Sequence, residues 1–120
     1  MEETTGSIVI APEVLTTVVR LVALETPGVV AFNSTLPGRM SRVLRGNKSS
    51  HGIDVQIEDG AVTVDVYIIA ERNVVLLPLG QTLQREISRA ISDVVGMPVR
   101  AVNVHIEDVS DPFGTGTPPQ

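Results

Sequence analysis

At 120 residues with a formal charge of −5, the chain is long enough for one core and too short for two self-stable domains. The absence of cysteine excludes a disulfide framework, thiolate metal sites and a thiol nucleophile. With Phe32, Tyr67 and Phe113 as the whole aromatic inventory, the core has to be aliphatic, and the 42% hydrophobic content supplies it.

The charge is unevenly placed. Four of the nine basic residues, Arg39, Arg42, Arg45 and Lys48, fall in one acid-free stretch; without them five bases face fourteen acids, so a body of −9 carries a segment of +4. Nucleic-acid binding by the surface as a whole is disfavoured by that balance, which leaves the basic segment as a candidate contact. No basic stretch precedes an N-terminal apolar run, and no run approaches the roughly 20 apolar residues that cross a bilayer. The expectation is a soluble, cytoplasmic domain over 6–109, with an extension at 1–5 and a disordered, Gly/Pro-rich tail at 110–120.

In chain order, Gly6 to Ile10 reads as a short first strand. A helix follows from Ala11-Pro12-Glu13, where proline suits the first turn and glutamate the dipole, and runs to about Glu25 before Thr26-Pro27-Gly28 stops it. Leu15, Val18, Val19 and Val22 form one apolar stripe on it; Val14, Leu21 and Leu24 form a second. Such a helix is either buried between a sheet and a loop or presents a partner surface through Val14, Val18 and Leu21. Val29 to Thr35 carries a weak strand signal. A mobile basic loop, 36–51, is expected next, with one turn of helix available at Met40, Val43 and Leu44.

The clearest local pattern lies beyond the loop. Ile53, Val55 and Ile57 alternate with Asp54, Gln56 and Glu58; Val62, Val64, Val66 and Ile68 alternate with Thr63, Asp65 and Tyr67. Asp59-Gly60 between them is a type I′ hairpin signal. Closing the turn there sets Ile57 opposite Val62, Val55 opposite Val64 and Ile53 opposite Val66, all on one face. The same register sets Asp54 opposite Asp65, a like-charge pair that is destabilising unless it is screened or bridged by a cation. Leu79, Leu83, Ile87, Ile91 and Val95 then repeat every four residues on a second helix within Leu76–Val95. Pro78 and Gly80 suggest that its regular part begins near Leu79, and Gly96 supplies the stop. Arg85 and Arg89 lie one turn apart on its polar face. Val102, Val104 and Ile106, alternating with Asn103, His105 and Glu107, form the last strand.

The predicted fold is α+β, a split β-α-β-β-α-β arrangement with two helices packed on one face of a small mixed sheet. The other face would be acidic, carrying Asp54, Glu58, Asp65 and Glu107, with one aromatic. That is the wrong chemistry for stacking RNA bases. No nucleophile elbow, phosphate-binding glycine loop or zinc-binding His-Glu pair is present. His51 and His105 read as loop and surface histidines. The expectation is a protein without catalytic site, cofactor, bound metal or small-molecule substrate.

Five short stretches in order then carry a family resemblance: Gly6 to Val14, Thr26 to Val29, His51 to Val55, Val62 to Ile69 and Val99 to Ile106. Over about residues 6–109 the chain resembles the alkaline shock protein 23 family. It departs from the family pattern at Arg72-Asn73, where many members carry an aromatic and a glycine, and in a later start to the second helix. The resemblance implies a non-catalytic bacterial envelope-stress protein held at the inner face of the membrane by an integral-membrane anchor protein. The apolar first helix, the acidic sheet face and the +4 loop themselves suggest self-association, in which the basic loop of one copy meets the acidic face of another. The alternatives are a regulatory subunit docking through Arg85 and Arg89, and a salt-dependent nucleic-acid or anionic-lipid binder using the loop.

Overall fold

The computed structural model describes residues 4–33 and 48–110. Helix α1 spans Pro12–Glu25, followed by strands β1 (Val29–Phe32), β2 (Lys48–Ser50), β3 (Ile53–Glu58) and β4 (Ala61–Ala70). Helix α2 spans Leu76–Ala90 and closes in one π-helical turn, Ile91–Val95; β5 (Val99–Val109) ends the domain. The chain is α+β, with a five-stranded mixed sheet.

Strand β4 organises that sheet. β5 runs parallel to it along one edge, from Val62 to Ala70. The other edge is shared: β3 pairs antiparallel with its first part, up to Ile53 opposite Val66, and β1 with its last part, from Phe32 opposite Ile68. The handover occurs at Tyr67, whose N–H donates to Gly52 O at 2.9 Å and whose carbonyl accepts from Asn33 N–H at 2.8 Å. The Asp59-Gly60 hairpin forms with positive φ at both residues (53° and 76°), and the register is the one the alternation demands.

Three expectations need correction. Gly6 to Ile10 is not a strand; Ile8 and Val9 are 92% and 88% exposed. Both edges of β4 are already occupied, by β1 and β3 on one side and by β5 on the other, so no place beside it remains. Val29–Phe32 is the strand that follows α1 instead. The expected loop at 36–51 ends early, because Lys48–Ser50 pairs with β3 as a second hairpin. His51 (φ 50°) and Gly52 (φ 89°) form its turn, the two-positive-φ geometry that matches strand twist. Finally, α2 begins at Leu76 rather than near Leu79. The first helical hydrogen bond is Leu79 N–H to Val75 O, so Pro78 sits in the first turn, where its missing N–H costs nothing.

The remaining boundaries follow from local chemistry. Gly96 takes the left-handed conformation (φ 84°) and its N–H closes on Ile91 O at 2.9 Å. Ser110 still donates to Ala70 O, one residue into the expected tail. The rest of that tail, and the helical turn considered at Met40, Val43 and Leu44, lie outside the described residues.

One aliphatic cluster joins both helices to one sheet face. Leu15, Val19 and Ala23 of α1 and Leu83, Ile87 and Ile91 of the second helical segment are fully buried against Val62, Val64, Val66 and Ile68 of β4. Fully burying an aliphatic side chain contributes about 1.5–3 kcal/mol, so the four-residue repeat of α2 is a major source of helix-to-sheet stability.

Candidate interaction surfaces

The sheet face away from the helices gathers the predicted acids. Asp54 stands directly opposite Asp65, which in turn stands opposite Asn103 of β5. Polar side chains from β5 and from Asn33, just past β1, engage this face. His105 Nε2 lies 2.9 Å from Asp65 Oδ1, Asn33 Nδ2 donates to Glu107 Oε1 at 2.9 Å, and Arg100 pairs with Glu58 at 3.3 Å. The His105 ring also stacks on Tyr67, with centroids 4.3 Å apart and planes 11° from parallel.

This face is less open than the alternation implied. Asp54 and Tyr67 are each only 4% exposed. Tyr67 is covered because His105 stacks on it from β5 while Asn33, at the end of β1, reaches Glu107 from the opposite side of β4. Sequence reasoning placed His105 on this face but missed the Tyr67–His105–Asp65 grouping. The parallel register that sets Tyr67 opposite His105 cannot be read from either strand alone. Among the described residues, no three His, Asp or Glu side chains converge to hold a metal ion.

The two apolar stripes of α1 separate cleanly. Leu15, Thr16, Val19 and Ala23 face the core. Val14, Leu21 and Leu24 remain 46%, 56% and 46% exposed, and Val18 is half-buried between the two. One stripe is thus core and the other exposed surface. No helix among the described residues is long and apolar enough to cross a membrane.

On α2, Arg85 and Arg89 are exposed as the periodicity requires, but Glu86 lies between them, 3.6 Å from one and 3.8 Å from the other. That face is a mixed-charge cluster rather than a purely cationic patch. An open cleft of about 550 Å³ separates the ends of the helices, lined by Val22, Thr26, Pro27, Glu86, Arg89 and Val94 among others. A groove of about 400 Å³ lies between the start of α2 and β5, lined by Leu76, Leu77, Gly80, Gln84, Val104 and Ile106 among others. Of the predicted basic contact, Lys48 begins β2, and Arg39, Arg42 and Arg45 lie outside the described residues.

Comparison with known proteins agrees with the sequence resemblance. The model of the alkaline shock protein 23 family, described as having a cell envelope-related function, matches residues 1–111. The chain is 30% identical over 107 residues to the uncharacterized protein Spy1535 of Streptococcus pyogenes serotype M6, covering 87% of this chain and 79% of that protein. It is 26% identical over 103 residues to the uncharacterized protein YqhY of Bacillus subtilis, covering 84% and 75%. It is 24% identical over 106 residues to the uncharacterized protein YloU of the same organism, covering 87% and 88%. No solved structure matches the chain.

Proposed function

This chain belongs to the alkaline shock protein 23 family, whose function is related to the cell envelope, and from that membership we propose that it is a non-catalytic adaptor that self-associates and is held at the inner face of the membrane by an integral-membrane protein. The single observation that carries this reading is the outer stripe of α1. Val14, Leu21 and Leu24 recur at i, i+7 and i+10 on one side of a 14-residue helix, each about half exposed. Surface leucines scattered singly need no explanation, but an aligned row on one helix face fits a partner helix laid alongside it. A helix of 14 residues spans about 21 Å, short of the roughly 30 Å hydrocarbon core, so it does not cross a bilayer and this reading assigns the hold on the membrane to a partner protein.

The polar sheet face supports a structural role. Its histidine, asparagine and arginine are engaged with its own acids, and the Tyr67 ring that could stack on a ligand already carries His105. For the same reason the loop-to-acidic-face contact is the weaker route to self-association, and apolar surfaces are the stronger one.

The test is sedimentation with membranes. The chain is expected to pellet with native membranes of its host and not with protein-free vesicles of the same lipids, and the double substitution V14E/L21E is expected to release it. Equal binding to the protein-free vesicles would make it a lipid binder instead. No retention by either would remove the anchor from the account.

A further inference from the structure

Resting on the self-association proposed above, we infer that the free edge of β5 is the surface through which two copies join, as an antiparallel strand pair about a two-fold axis at Val104. β5 spans 11 residues, and among the described residues β4 is its only neighbour in the sheet. Long edge strands are normally blunted, because their unpaired N–H and C=O groups template pairing. Here the register is irregular only near the two ends, between Val99 and Ala101 and between Ile106 and Asp108. The central stretch from Ala101 to Ile106 runs without a break. Gln84 Nε2 donates to Val102 O at 3.2 Å, so that carbonyl of the edge is already bonded within the domain and the second copy has to displace Gln84 from it.

The groove beside that edge adds an apolar wall. Leu76, Leu77, Val104 and Ile106 line it, and Leu77 is 74% exposed. The occupant is a second copy because the strand is complementary to itself in one register. In a two-fold antiparallel pair, residues directly opposite share a face. An axis at Val104 sets Val104 against Val104 of the second copy and Val102 against its Ile106, apolar on apolar at the helix side. It sets Asn103 against the second copy's His105 on the polar side. Beyond the regular stretch, each end brings Arg100 near Asp108 of the second copy, an attractive charge pair formed twice. Moving the axis one residue toward the start sets Arg100 against Ile106; moving it one residue the other way sets Val102 against Asp108. Arg100 now leans on Glu58 at 3.3 Å, and Asp108 accepts from Val109 N–H; both contacts are exposed, so the two charges can exchange partners. The joined sheet would be continuous, with the two α2 helices flanking the axis and the two grooves facing each other.

The chain has no cysteine, so single cysteines report the register directly. Paired strands hold directly opposed Cα atoms about 4.5–5.5 Å apart, within disulfide range. Under mild oxidation V104C is expected to run as a covalent dimer on a non-reducing gel, while V102C and V94C stay largely monomeric. Independently, R100E is expected to weaken the dimer about tenfold or more, since two attractive pairs become repulsive. The exchange R100E/D108R is expected to restore it; both positions are exposed, so the fold is retained. Oligomers that persist in solution without cross-linking at V104C, and without response to the exchange, would overturn this interface and leave the proposed function standing. A monomer at every concentration would remove both.

Discussion

Gly52 is the residue on which the sheet's change of partner turns. Its φ is 89°, and a Cβ there would sit 3.0 Å from both Asn33 O and Phe32 Cβ. Gly60 has a similar φ of 76° with open space around it. Gly52→Ala is therefore expected to cost about 1–3 kcal/mol, from strain and crowding at the junction of β1, β3 and β4. Gly60→Ala should cost less, and urea titration of the two variants gives the order; a reversed order would mean that the junction gives way easily. His105 offers a second test. It stacks on buried Tyr67 and bonds Asp65, so His105→Ala should lose about 1–2 kcal/mol. A loss near zero would reduce the grouping to surface decoration. Neither residue's importance is visible in one sequence. His51-Gly52 lacks the usual Asn-Gly signature of its turn, and the Tyr67–His105 contact depends on a parallel pairing set by the helix between the two strands.

The elements were legible in proportion to how periodic they are. The Asp59-Gly60 hairpin and the four-residue repeat of α2 each carry enough alternation to fix both type and buried face, and Leu79, Leu83, Ile87 and Ile91 are buried as that repeat demands. Ile87→Ala is expected to destabilise the fold by about 2–5 kcal/mol, measurable by thermal unfolding. Gly6 to Ile10 misleads for the opposite reason: Ile8-Val9-Ile10 is apolar but does not alternate, both places beside β4 are taken, and strand propensity alone produces no strand. β2 escaped because a strand of Lys48, Ser49 and Ser50 is too short and polar to show a pattern. For α1 the sequence holds two stripes, and only packing decides which is core. Leu21→Glu, on the exposed stripe, should shift stability by no more than about 0.5 kcal/mol while weakening membrane retention. A large loss of stability would place that stripe in the core instead.

At the scale of the whole molecule, the domain consists of one buried sheet face, one face whose acids are engaged largely by the domain's own side chains, and apolar surface that the described fold leaves uncovered. That surface lies on α1, at the start of α2 and along β5. Such a distribution suits a component whose chemistry is contact with other copies and with an anchor, in a family tied to the cell envelope. Self-association is the claim on which the account turns. The measurement is light scattering behind size exclusion across protein concentration, at low and high salt. A dimer or larger assembly that survives high salt is expected, because apolar burial and main-chain pairing hold it more than charge does. A monomer at every concentration and salt would contradict it.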